Sequence, residues 1–208
     1  MAKSCWLMVC FKYVLICLQA KGNAETVPDH LWLFDNLEAF LEETASSGSV
    51  IPEGYTISSI TPGAGQFLVH TSPSALFSLG TDNRFGQLGR QDDELLDPID
   101  VFGGMQIDKV AMGDLHCAVI SQGSLYIWGC NKDSQCSGMP GVEPSLVDLA
   151  VAEGQEQPNI VDVACGAAHT VLVTESGDIW VCGRSGSYLS HLYAYTDDQA
   201  QMNMDSSA

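Results

Sequence analysis

The sequence predicts an all-β fold, a partial or incomplete β-propeller of repeated sheets with a short N-terminal helical segment. Three observations carry this. From residue 60 the chain resembles itself: ITPGAGQFLVHTSPSALFSLG (60–80), VAMGDLHCAVISQGSLYIWG (110–129) and VACGAAHTVLVTESGDIWVCG (163–183) align, and a period of about 50 residues marks a repeat architecture. Each stretch has the same plan, opening on Gly63, Gly113 or Gly166 and closing on Gly80, Gly129 or Gly183, at separations of 17, 16 and 17 positions. Each also holds two apolar runs around a polar turn such as Glu175-Ser-Gly177, the pattern of a hairpin. Both runs are apolar at nearly every residue, so both sheet faces are buried. Small antiparallel sheets that bury each other in sequence make a propeller.

Residues 1–24 form an apolar segment with Lys3 near its start, Lys12 interrupting it and Gly22-Asn-Ala24 at its end. They read as a core segment or a mis-assigned start, with a secretory signal as the alternative. Neither apolar half reaches the roughly 18 residues of a membrane span. Residues 25–54 read as an acidic amphipathic helix and linker: Leu33, Leu37, Phe40 and Leu41 share a helical face, Pro28-Asp29 starts it and Ser46-Ser-Gly48 stops it. Residues 55–190 hold three repeats, with RQDDELLDPID (90–100) as a surface loop between the first two, and 191–208 are a polar tail.

After the first hairpin comes LGTDNRFGQLG (79–89), and after the second a counterpart from Asn131 to Ser137. Asn83 to Asn131 and Gln87 to Gln135 are both 48 residues. A phosphate cradle is not expected at every repeat, whereas a structural corner is. Gly80, Gly86 and Gly89 therefore read as residues that let the chain turn, and Asn83 and Gln87 as side chains that bond the turn's backbone.

The set Cys165-Gly166-Ala-Ala-His169-Thr170, Trp128-Gly129-x-Asn131, and Asn83 with Gly86-Gln87-Leu88-Gly89 resembles the regulator of chromosome condensation repeat family. The resemblance covers roughly residues 55 to 190. It implies four-stranded blades of about 50 residues in a seven-bladed propeller, for which about 350 residues are needed. The departures are specific. Gln66 stands where the other units have His116 and His169, and Ser134 and Ser137 replace glycines in the second corner. The third corner dissolves into RSGSYLSHLYAY. With three units the ring does not close alone: either further blades come from a longer chain, another copy or a partner, or the N-terminal residues and the tail supply strands.

Composition excludes some functions. The chain carries a formal charge of −18, eight basic residues against 26 acidic, so a nucleic-acid backbone is repelled and direct binding to it is not expected. Eight cysteines lie mostly in apolar runs and read as free core thiols, no Asn-x-Ser/Thr sequon occurs, and an intracellular location, cytoplasm or nucleus, is expected.

No catalytic, cofactor or metal residue is expected. Cys165 and His169 are four apart, but the repeat partner of Cys165 is Met112, so the pair reads as a core cysteine and a buried histidine bonded to the loop backbone rather than a nucleophile and base. Cys130 and Cys136 are six apart with no second pair, which does not suit zinc. Gly63-Ala-Gly65 lacks the third glycine and the following helix of a dinucleotide fingerprint. The residues singled out, namely Gly80, Asn83, Gly86, Gln87, Gly89, Gly113, His116, Trp128, Gly129, Asn131, Gly166, His169, Gly177 and Gly183, are repeat positions. The expectation is a non-enzymatic interaction module or scaffold for a protein partner, basic or a small GTPase. The resemblance also implies two rivals, nucleotide exchange on a small GTPase and a secreted propeller that binds other proteins.

Overall fold

A computed structural model of the chain describes residues 51–80, 82–91, 96–136, 141–149, 151 and 153–184 in full, and the backbone of further strands within 5–50 and at 193–195. Among the described residues there is no α-helix. Strands β1 to β16 form four four-stranded sheets, each an antiparallel meander of consecutive strands.

The first sheet is β1 (Cys5–Phe11), β2 (Val14–Gln19), β3 (His30–Phe34) and β4 (Ser47–Val50). The second is β5 (Thr56–Pro62), β6 (Phe67–Ser72), β7 (Ala75–Leu79) and β8 (Leu96–Pro98). The third is β9 (Lys109–Met112), β10 (His116–Ser121), β11 (Ser124–Gly129) and β12 (Ser145–Val147). The fourth is β13 (Ile160–Cys165), β14 (His169–Thr174), β15 (Ile179–Gly183) and β16 (Tyr193–Tyr195). The three hairpins expected from the repeat are the middle strand pairs of the last three sheets, with Val69 opposite Phe77, Val119 opposite Tyr126 and Leu172 opposite Trp180.

Two expectations need correction, for the segment from Pro28 and for the acidic segment 90–100, whereas strands in the N-terminal residues and the tail are among the alternatives expected. The helix expected from Pro28 begins instead as β3. His30-Leu-Trp-Leu-Phe34 pairs on both edges, Trp32 with Cys17 and with Gly48, and two backbone ladders outweigh a helical spacing of leucines; residues 35–46 lie outside the described residues. Residues 1–24 hold the β1–β2 hairpin, so there is a sheet before the three repeats. The acidic segment 90–100 is not wholly a loop, because Leu96–Pro98 is the outer strand of the second sheet, with Pro98 opposite Phe77. A proline is accommodated on an edge strand because one of its sides needs no donor. The polar tail likewise contributes β16, where Tyr193 pairs with Val181.

The chain divides into two compact units, residues 1–81 with 93–104, and 82–92 with 105–208. In the first, Phe67, Val69, Phe77 and Leu79 pack with Ile51, and Tyr55 meets Phe77 edge-on with ring centroids 5.5 Å apart. Phe102, in a 3₁₀ turn at Asp100–Phe102, is fully buried. In the second, Ala118, Ile120, Leu125 and Ile127 of β10 and β11 pack against Leu172, Trp180 and Cys182 of β14 and β15. Full burial of a side chain such as Leu172 contributes about 2 kcal/mol, and truncating it to alanine costs about 3. Every residue of β10 is buried, whereas β14 alternates buried and open positions.

Candidate binding cleft between two repeat corners

The corners are built from side chains that imitate backbone. In the first, Asn83 Oδ1 accepts from the Leu88 N–H at 2.9 Å and Asn83 Nδ2 donates to the Arg90 carbonyl at 2.7 Å. Gln87 Oε1 accepts from the Phe85 N–H at 2.9 Å. The second corner repeats the plan: Asn131 Oδ1 accepts from the Cys136 N–H at 2.8 Å, and Gln135 Oε1 from the Asp133 N–H at 2.9 Å. Ser134 adopts φ 60° where the first corner has Gly86 at φ 75°. Such bonds satisfy a tight turn whose own amides would otherwise lack partners.

The glutamines do a second job through their backbone. The Gln87 carbonyl accepts from Cys117 Sγ at 3.3 Å and from Trp128 Nε1 at 3.1 Å. The Gln135 carbonyl accepts from Thr170 Oγ1 at 2.8 Å and Cys182 Sγ at 3.1 Å. Counted from His116 and His169, and back from Gly129 and Gly183, these donors occupy equivalent repeat positions. Each corner is thus stitched to the hairpin that follows it.

The opening and closing glycines bracket that hairpin. Gly113 N donates to the His116 carbonyl and Gly166 N to that of His169, each at 2.8 Å. A Cβ on Gly113 would run into the Gly166 carbonyl and stand 2.7 Å from the His116 ring. Gly129 and Gly183 have φ 103° and 110°, and a Cβ there would strike the preceding chain at Leu115 or Ala168. Gly80 is buried just beyond β7 and Gly177 turns between β14 and β15.

The two histidines part company. His116 is fully buried, its Nε2 2.9 Å from Thr170 Oγ1. The single hydroxyl proton of Thr170 goes to the Gln135 carbonyl, so His116 Nε2 carries the proton and donates. Burial, together with the His169 charge, pushes the His116 pKa down to about 4. His169 is exposed rather than buried, which corrects the expected burial: His116 meets a hydroxyl of the following sheet, and among the described residues His169 has no such counterpart. Burial pushes the Cys165 thiol up to about 12, which disfavours the thiolate that a nucleophile needs. Cys136 Sγ donates to the Cys130 carbonyl at 3.2 Å, and no three of the described His, Cys, Asp and Glu residues cluster to hold a metal ion.

The two corners also face each other across a cleft of about 430 Å³. Asn83, Phe85 and Gly86 form one wall, and Asn131, Lys132 and Val142 the other. Gly86 approaches so closely that a Cβ on it would lie 2.7 Å from Val142 Cα. Lys132 Nζ sits 4.4 Å above the centre of the Phe85 ring, a cation–π contact. Arg84 is paired with Asp82 at 2.7 Å and holds that carboxyl down to about 2. Val142 is 41% exposed. The cleft offers apolar contact flanked by two cations, Arg84 and Lys132, in an acidic chain. Residue spacing showed the corners, but the cleft depends on how two of them face each other; the recurrence at 48 residues was its only sequence signal.

The Regulator of chromosome condensation (RCC1) repeat matches residues 122–173, and a second form of it matches residues 160–188. The chain is a regulator of chromosome condensation repeat protein. Its relatives include the ultraviolet-B receptor UVR8 of Arabidopsis thaliana, 37% identical over 65% of this chain and 32% of that protein. They also include the guanine nucleotide exchange factor SRM1 of Saccharomyces cerevisiae, 29% identical over 62% of this chain and 28% of that protein. The chain thus spans about a third of these relatives. Among solved structures, human WBSCR16 superposes with a TM-score of 0.67 at 13% identity, covering 92% of this chain and 52% of that one. Prp20p of Saccharomyces cerevisiae gives 0.64 at 17% identity, over 93% and 52%. These likenesses show the fold: the repeat protein is a partial β-propeller, about half of those chains. Among the described residues no helix precedes the repeats.

Proposed function

We propose that this repeat protein is a non-enzymatic docking module that binds another protein through the cleft between its corners and the rim around it. One observation carries the reading: the repeat-defining Asn83, Gln87, Asn131, Gln135 and His116 are bonded to the protein's own backbone or to Thr170. Their chemistry serves architecture, which leaves surface rather than reaction as the functional part. The partner is a protein, with a basic segment or a small GTPase as the classes that suit the chain's acidic surface around the cleft, while Arg84 and Lys132 at the cleft itself suit apolar or acidic side chains of that partner. Cytoplasm or nucleus is the proposed location, supported by five described cysteines that are all free.

A specific observation favours a second reading, nucleotide exchange: the relative SRM1 is a guanine nucleotide exchange factor. Release of a fluorescent guanine nucleotide from small GTPases separates the two. The docking module leaves release at its intrinsic rate. Acceleration by catalytic amounts of the protein would establish exchange in its place.

A further inference from the structure

Ser145 opens β12, the outermost strand of the third sheet, which pairs with β11 on one edge; among the described residues no strand pairs with the other. The side chains of Glu143, Ser145, Leu146 and Asp148 are all exposed. The Ser145 hydroxyl donates to the Glu143 carbonyl at 3.5 Å, longer than a firm O–H···O bond. The hydroxyl is therefore weakly held, on an outer strand of three residues, and short edge strands are the part of a sheet that opens most readily.

Charge singles this serine out. Glu143 stands two positions before it and Asp148 three after, and no Lys or Arg occurs between Lys132 and Arg184. Among the serines and threonines of residues 51–184, Ser145 alone has an acid three positions on. Other exposed hydroxyls are committed elsewhere: Ser176 Oγ bonds the Asp178 carboxylate at 2.6 Å, and Thr56 Oγ1 donates to the Ser72 carbonyl at 3.2 Å.

We propose that Ser145 is a modification site, the phosphate acceptor for a protein kinase whose basic subsites read Glu143 and Asp148. Phosphoryl transfer is mostly positioning, and acids on either side of the acceptor position it against basic subsites by charge complementarity. The γ-phosphoryl group of a nucleoside triphosphate passes to Ser145 Oγ. The new O–P bond forms as the bond from the γ-phosphorus to the bridging oxygen breaks, the hydroxyl proton goes to the kinase's base, and the nucleoside diphosphate leaves. The product lies beside the cleft, because Ser145 Oγ is 3.8 Å from where a Cβ on Gly141 would stand and Gly141 is part of the cleft wall. A phosphate adds about two negative charges there, opposite in sign to Arg84 and Lys132. The acceptor assignment itself does not rest on the docking reading.

The test incubates the full folded chain with ATP and the acidophilic casein kinase II, and maps phosphate by peptide mass spectrometry. Phosphate is expected on Ser145. Ser145→Ala should abolish that signal, Asp148→Asn should slow it at least about tenfold, and Ser176→Ala should leave it unchanged. Circular dichroism and melting check that each variant folds. Absence of phosphate from Ser145 would overturn the proposal. So would phosphorylation of a synthetic peptide of residues 141–151 without that of the full chain, since the fold would then hide the serine. An unchanged rate in a folded Asp148→Asn variant would overturn the acidic recognition on which the assignment stands.

Discussion

His116 donates from Nε2 to the hydroxyl of Thr170, 54 residues further along the chain, at 2.9 Å. One sheet is thereby tied to the next through a hydroxyl that the Gln135 carbonyl also holds. His116→Ala removes this bond and a fully buried ring, at a cost of about 2 to 3 kcal/mol. His169→Ala, at the exposed equivalent position, should stay within about 0.5 kcal/mol. Urea unfolding of the two variants checks the contrast, and equal losses would refute the tie.

The same histidine sets an acid limit. Its pKa is about 4 in the fold and about 6.5 in the unfolded chain, so the unfolded state binds the proton more readily. The contribution is complete above about pH 6.5, falls through the interval down to about 4, and amounts to roughly 3 kcal/mol. Asp82, lowered by Arg84, acts only below that window. Stability measured from pH 7 to 4.5 should decline more steeply in the wild type than in His116→Gln, and parallel curves would be evidence against a buried neutral imidazole.

Ser134 occupies a left-handed conformation at φ 60°, which costs a residue with a Cβ about 1 kcal/mol. Ser134→Gly should therefore raise stability by roughly 0.5 kcal/mol, the gain being reduced by the greater freedom of glycine when unfolded. Gly129→Ala should do the opposite and cost more than about 3 kcal/mol, since its φ is 103° and its Cβ would stand 2.6 Å from the Leu115 carbonyl. Thermal melts give both signs.

Burial pushes the Cys117 thiol well up and Cys165 up to about 12. Since the thiolate is the reactive form, both should resist alkylation near pH 8 in the folded protein and react fully in denaturant. Peptide mass mapping checks this. Rapid native labelling at Cys117 would mean that the stitch to the Gln87 carbonyl is open.

Much of this was legible in the residues, for physical reasons. The hairpins could be read because β6, β10 and β14 lie in apolar runs between recurring glycines, and at Gly113, Gly129, Gly166 and Gly183 a close approach leaves no room for a Cβ. The corners could be read because Asn83 and Gln87 recur at Asn131 and Gln135. The first sheet could not. The helical spacing of Leu33, Leu37, Phe40 and Leu41 shares only Leu33 with the strand His30–Phe34, whose pairing with β2 and β4 decides for a strand there. Three-residue outer strands such as Leu96–Pro98 carry too few residues to show a period. His169 was misjudged because burial of a repeat position depends on a neighbouring sheet, which His116 has and which the described residues do not place over His169.

The docking claim is tested most directly by a paired change in the cleft wall, Lys132→Glu with Val142→Lys, at two exposed residues. Proteins cross-linked to the wild-type chain in cells are quantified against those cross-linked to this variant, with melting temperature as the check on folding. A docking module loses a defined set of partners at least tenfold while its melting temperature stays within about 2 °C. An unchanged partner set on a folded variant would contradict it.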